Sequence, residues 1–142
     1  MIDVRFPIGG ADVARPHLDD LGRSPFERLG GEPGVRAIVD DFLDRVFADD
    51  MIGYLFVNAP KPRIRAFEYR WAAAHLGGPV AYDGRPLEEA HRAARIFDGH
   101  FARRLQLLRE TLADHGVPAE LGDRWLAHDE AQRERVLVGS CR

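Results

Sequence analysis

Between Pro33 and Asp49 the apolar residues recur at steps of three and four, which is the period of one face of an α-helix. The apolar positions are Val35, Ile38, Val39, Phe42, Val46 and Phe47, and charged residues lie mostly opposite them. No stretch of the chain alternates with a period of two for long enough to require a strand. The fold class predicted from these patterns is all-α.

Proline and glycine divide the remaining sequence into further helices. Ser24 followed by Pro25 is typical of an N-cap and a first helical residue, and Gly30-Gly31 ends the short helix that they begin. Pro62 suits the first turn of a helix over residues 63–76, which Gly77-Gly78-Pro79 terminates. Short, glycine-marked joints of this kind fit a plain helical bundle as well as another all-α arrangement, and periodicity alone does not separate the two.

Three more helices are predicted in the second half of the chain. Pro86 opens a short one that carries His91, Asp98 caps a longer one that runs to His115, and the last covers residues 119–138. Residues 1–23 have no sustained period and are predicted to form an irregular N-terminal extension. With 142 residues, of which 45% are hydrophobic, we expect a single domain over residues 24–142.

Charge and composition narrow the classes of partner. A net charge of −3 gives no long-range attraction for phosphates or anionic lipid, so we expect neither a nucleic-acid partner nor a membrane partner. The single cysteine, Cys141, cannot form an internal disulfide, and no apolar run has the length of a signal or a membrane span. These features predict a cytoplasmic protein that binds a small molecule.

Six short motifs in order resemble the truncated haemoglobins, the two-over-two globins, with features of groups I and II. They are Phe26-Glu27-Arg28-Leu29-Gly30-Gly31, Val39-Asp40-Asp41-Phe42-Leu43-Asp44-Arg45-Val46, Leu55-Phe56, Leu76-Gly77-Gly78-Pro79, Ala90-His91 and Gly116-Val117-Pro118. Each motif is weak alone, but their order and spacing cover residues 24–138. The resemblance implies a two-over-two helical sandwich that holds haem b, iron protoporphyrin IX.

The resemblance assigns the haem-contacting positions residue by residue. His91 falls on the proximal histidine, which would ligate the iron. The other positions implied to contact the haem are apolar or aromatic: Phe56, Ile64, Trp71, Ile96 and Phe101. Tyr82, Arg63, Arg92 and Arg95 are candidates for the haem propionates, although a solvated arginine face is equally expected for each arginine.

The predicted distal pocket departs from the family pattern. Leu43 stands where most members carry a tyrosine that donates a hydrogen bond to bound oxygen, and Ile64 is equally without a donor. Glu68 replaces a common glutamine, and Arg104 replaces a tryptophan or a small apolar residue. Because a buried unpaired carboxylate is costly, one hypothesis is that Glu68 and Arg104 pair and that the guanidinium donates to a bound ligand. The alternative is that either side chain reaches solvent and the pocket is simply apolar.

The predicted function is therefore the binding of a diatomic gas, such as oxygen or nitric oxide, or of a small anion at iron ligated by His91. Two alternatives remain open. One is a haem enzyme with nitric oxide dioxygenase or peroxidase-like activity, for which a reductase would be a partner. The other is a haemless globin-fold interaction module. The sequence is compatible with a monomer or a homodimer.

Overall fold

The computed structural model describes residues 18–19, 21–80 and 96–133. Within these ranges the chain is helical, and the predicted all-α class is confirmed. The elements are α1 (Pro25–Arg28), α2 (Gly31–Ala48), a 3₁₀ turn (Gly53–Phe56), α3 (Lys61–His75), α4 (Asp98–Asp114) and α5 (Ala119–Glu130). None of the helices in these ranges is long and apolar enough to cross a membrane.

A complete capping box starts α1. The Ser24 hydroxyl oxygen accepts from the backbone N–H of Glu27 at 3.2 Å, and the Glu27 carboxylate accepts from the backbone N–H of Ser24 at 3.0 Å. Pro25 occupies the first helical position, where a missing N–H costs nothing. The predicted cap and the short helix behind it are both confirmed.

The longest helix, α2, forms the centre of the fold. It buries the predicted apolar stripe, except that Phe47 is only half-buried, and it also buries Leu43. Together with α3 and α4, which pack against it, α2 encloses the main hydrophobic core. The helix starts at Gly31, two residues before the predicted boundary, because Pro33 is accommodated in its first turn.

The start of α4 corrects one detail of the prediction. Asp98 is the first helical residue and Phe97 is the N-cap, so the expected cap at Asp98 is wrong by one position. The capping hydrogen bond comes instead from His100, whose Nδ1 accepts from the backbone N–H of Phe97 at 3.1 Å. Because Nδ1 accepts, the proton lies on Nε2, which donates to the Tyr54 hydroxyl oxygen at 3.1 Å.

Two helix pairs build the layers of the molecule. Helix α2 packs beside α3 and α4 beside α5, and contacts of α2 with α4 and of α3 with α5 join the pairs. This is the predicted two-over-two arrangement. The main core contains buried residues of all five helices, and a second, smaller cluster consists of Ile96, Phe101 and Leu105. The predicted helix around His91 and residues 134–138 of the last helix lie outside the described residues.

Candidate functional site

Helix α3 has two faces with different surroundings. Tyr69, Ala72 and Ala73 are buried in the main core. A second stripe at helical spacing, made of Ile64, Phe67, Glu68, Trp71 and His75, is only half-buried. This half-buried stripe is the face of α3 that the sequence predicted to be distal.

Three ionisable side chains from three helices meet beside this stripe. Arg104 of α4 donates from Nη2 to Glu68 of α3 at 2.7 Å, and from Nη1 to Asp129 of α5 at 2.8 Å. We call Glu68, Arg104 and Asp129 the charge cluster. The structure therefore contains the pairing of Glu68 with Arg104 that the sequence suggested, and it adds a second carboxylate.

Asp129 is the member of the cluster that sequence reasoning missed. Its side chain is only 2% exposed, and its second oxygen accepts from the indole N–H of Trp71 at 3.2 Å. The signal was present, since Asp129 lies four residues after Trp125 and eight after Leu121 on the buried stripe of α5. An acid in an apolar stripe requires a buried partner.

The charge cluster has unused hydrogen-bonding capacity. A guanidinium carries five N–H donors, and Arg104 gives two of them to carboxylates, which leaves three without a protein partner in the described part of the chain. Within the same ranges no hydrogen bond reaches Glu68 Oε1. The Arg104 side chain is 25% exposed and that of Glu68 is 16% exposed, although protein surrounds both. Part of each side chain therefore remains accessible to a small molecule.

Burial and mutual charge set the protonation of the cluster. Burial raises the pKa of Glu68; Arg104 opposes this effect and Asp129 reinforces it, so the pKa lies above its ordinary value. For Arg104, burial alone would lower the pKa, but Glu68 and Asp129 together raise it. Arg104 is thus a permanent cation, and Glu68 is a carboxyl group that gains a proton more readily than one in water.

Next to the cluster, three aromatic rings form a stack that the sequence did not predict. The rings of His75 and His128 lie 3.8 Å apart and nearly parallel, at 10°, and the ring of Trp71 lies 4.7 Å from that of His128. Burial lowers the pKa of His75 to about 4, and it also lowers the pKa of His128. Both imidazoles are therefore neutral near pH 7, which removes the repulsion that two stacked cations would suffer.

The other predicted pocket residues divide between the two cores. Leu43 is buried in the main core, and the half-buried Ile64 packs against that core. Phe56 packs at 5.5 Å from the ring of Phe47. Ile96 and Phe101 belong to the second cluster. The exposed Arg63 is placed on the surface. Tyr82, His91, Arg92 and Arg95 lie outside the described residues.

Comparison with known proteins identifies the family. Residues 24–136 match the bacterial-like globin family. This chain belongs to that family. A group 1 truncated hemoglobin of Synechocystis is 35% identical over 100 residues, covering 68% of this chain and 81% of the relative. A group 1 truncated hemoglobin of Mycolicibacterium paratuberculosis is 32% identical and covers 68% of this chain and 71% of the relative.

Solved structures of truncated globins superpose on the chain. The truncated hemoglobin of Tetrahymena pyriformis in its Fe(III) form has a TM-score of 0.74 at 28% identity, over 81% of this chain and 98% of that one. The 2/2 hemoglobin of Synechococcus, in the cyanomet state with covalently attached heme, has a TM-score of 0.76 at 27% identity, also over 81% and 98%. The chain is a two-over-two globin, and haem binding is what this family implies.

The described residues of this globin fit such a group. Haem is a large, flat, mostly apolar ligand, and the half-buried stripe of α3 offers Ile64 and Trp71 as apolar surface, with Phe56 half-buried in the main core nearby in sequence. The charge cluster does not conflict with this fit, because carboxylates on both sides pair with the Arg104 guanidinium.

Proposed function

We propose that this globin binds haem b through His91 and takes up a diatomic gas or a small anion on the side of the pocket that α3 lines. Family membership supports the cofactor, and the half-buried stripe of α3 supports its location. Phe56, Ile64, Trp71, Ile96 and Phe101 are the proposed apolar contacts. Tyr82, Arg92 and Arg95 are proposed for its propionates. Bound haem would supply an iron that can take a small ligand.

One observation favours a negatively polarised ligand over a neutral one. Leu43 and Ile64 have no donor, whereas Arg104, whose side chain is 25% exposed, keeps three N–H groups without a partner among the described residues. A charged donor hydrogen-bonds an anion or polarised oxygen about twice as strongly as a neutral donor does. The guanidinium of Arg104 thus replaces the missing hydroxyl, and Glu68 and Asp129 hold its direction.

The cofactor and its ligand residue are tested by absorption spectroscopy. The purified protein is expected to show a Soret band, and His91→Ala is expected to lose most of it. The matched control is His115→Ala, which removes an exposed histidine that contacts Asp41 at 2.8 Å and should leave the band unchanged. A protein that neither carries haem nor takes it up when it is added would exclude the proposal and favour the haemless module.

A further inference from the structure

We propose that anion binding in this pocket is coupled to the uptake of one proton by Glu68, so that the ligand enters in net terms as the neutral acid HX. The inference rests on the proposed function, because it concerns a ligand bound beside Arg104. Two carboxylates face one guanidinium, so the ionised cluster already carries one surplus negative charge.

An entering anion would add to the surplus negative charge of the cluster. Held by the N–H groups of Arg104 that have no partner in the described part of the chain, the anion would lie close to Glu68, whose carboxylate is joined to the same guanidinium at 2.7 Å. Like charges brought together inside a protein repel strongly, because there is little water to screen them. Uptake of a proton by one of the two carboxylates removes the added repulsion.

The geometry assigns this proton to Glu68 rather than to Asp129. Both oxygens of Asp129 accept N–H donors, one from Trp71 and one from Arg104, and a proton on either oxygen would weaken the hydrogen bond made there, because a neutral carboxyl oxygen is a poorer acceptor than an ionised one. Among the described residues, Glu68 accepts a hydrogen bond only at Oε2, so a proton can bind Oε1 without replacing any of these bonds. Within the described ranges, the charged groups that face Glu68 are Arg104 of α4 and Asp129 of α5.

The step balances in atoms and charge. The H–X bond breaks, X⁻ keeps the electron pair, and the proton forms an O–H bond at Glu68 Oε1. No net charge enters the pocket. The ligand class that suits this step is a small anion whose conjugate acid is weak, such as azide, cyanide or hydrosulfide, since the neutral acid carries its own proton past apolar side chains.

The test uses the haem-loaded ferric protein with azide as the probe. Calorimetric titration in buffers of different ionisation enthalpy counts the protons taken up per azide bound, and we expect a value close to one at pH values where Glu68 is ionised. In the same range the azide affinity should fall about tenfold for each unit of rising pH. Infrared difference spectra should gain the C=O band of a protonated carboxyl group.

Isosteric amides identify the proton acceptor. Glu68→Gln should bind azide with no proton uptake, no pH slope and no new infrared band. Glu110→Gln, which changes an exposed carboxylate on α4, should keep all three signals. A slope that survives in Glu68→Gln would overturn the proposal, and so would azide binding by the parent protein without proton uptake.

Azide binding and its coupling to a proton can be distinguished by experiment. A protein that takes up no haem, or whose haem binds no azide, contradicts the proposed function itself. A protein that binds azide without a proton leaves the proposed function intact and removes only the coupling. Calorimetry counts the protons taken up by the parent protein. The proton coupling can therefore be tested even if a variant does not fold.

Discussion

Arg104 lies between Glu68 and Asp129, and this placement explains how a guanidinium is tolerated inside a globin fold. A buried charge costs several kcal/mol unless it is paired and hydrogen-bonded. Arg104 is both paired with carboxylates and hydrogen-bonded to them. Its guanidinium carbon also lies 5.0 Å from the centre of the Phe42 ring, a favourable cation–π contact. The residue is therefore held in one orientation, which a donor to a bound ligand requires.

At the residue scale, Arg104→Leu is expected to speed the dissociation of a bound anion. Losing one hydrogen bond to a charged group costs about 1.5–3 kcal/mol, which corresponds to roughly a 10- to 150-fold faster release. Stopped-flow displacement of azide from the ferric protein measures this rate. The exposed Arg109→Leu on the same helix is the control and should match the parent. Equal rates in all three proteins would show that Arg104 does not contact the ligand.

His75 predicts a second residue-scale effect, a loss of stability in weak acid. Burial lowers its pKa from 6.5 to about 4, and the neighbouring His128 and Arg124 act in the same direction, while Asp129 opposes them. As the pH falls from about 6.5 to about 4, the unfolded chain gains a proton that the folded chain does not. The neutral His75 therefore makes its full contribution to the free energy of unfolding above this pH window, and the contribution decreases as the pH falls through the window.

The variant His75→Phe keeps a ring against His128 but cannot be protonated. Its free energy of unfolding, measured by urea titration at a series of pH values, should fall less steeply than that of the parent across the window. Above the window the two curves should run parallel. If the two slopes agree at every pH, protonation of His75 is not linked to folding.

The sequence predicted one ion pair of the site but not the contacts that α5 makes with α3 and α4. The resemblance placed Glu68 and Arg104 at one pocket, and the need to neutralise a buried carboxylate then suggested their pairing. Asp129 and the stack of His75 on His128 depend on where α5 crosses α3 and α4. Periodicity gives the faces of a helix but no crossing point, so these contacts required the structure.

At the scale of elements, the sequence predicted the helices well because their ends carry strong local signals. Ser24 with Glu27 and Pro62 in the first turn of α3 act within a few residues, and the structure confirms the helices that they begin. The start of α4 was misassigned by one residue because His100, not Asp98, supplies the capping acceptor. A histidine nitrogen in that role has no common sequence signature.

The joint between α1 and α2 supports a prediction about Gly34. A Cβ at this position would overlap the carbonyl oxygen of Leu29. Alanine normally favours a helix over glycine by about 0.5–1 kcal/mol. Here we expect Gly34→Ala to lower the free energy of unfolding by about 1–3 kcal/mol, because the overlap forces the backbone to shift.

Gly99→Ala is the matched control, since no atom lies within 4 Å of a Cβ built there and the residue is in the first turn of α4. It should be as stable as the parent, or more stable by up to about 1 kcal/mol. Urea unfolding of both variants measures the difference. If Gly34→Ala and Gly99→Ala have the same free energy of unfolding, α1 and α2 can move apart without a loss of stability. The close approach at Gly34 would then not constrain the fold.

At the scale of the whole molecule, the main core joins all five helices through residues of the described ranges, from Phe26 in α1 to Trp125 in α5. The charge cluster and the half-buried stripe of α3 lie beside this core and are not part of it. The folding of the helices and the binding of haem are therefore partly separable. A cofactor that binds the folded chain alone adds stability by mass action.

We accordingly expect the chain freed of haem to keep its helices and its packed core and to unfold cooperatively at a lower urea concentration than the loaded protein. The chain has two tryptophans, so Trp71→Phe leaves the buried Trp125 as the single fluorescent reporter. In the haem-free variant its emission should stay blue-shifted and shielded from a soluble quencher, and far-ultraviolet circular dichroism should stay helical. A quencher that reaches Trp125 as easily as in urea, with helical dichroism retained, would indicate a molten core instead. In that case the cofactor, rather than the five-helix core, would determine the packing of this globin.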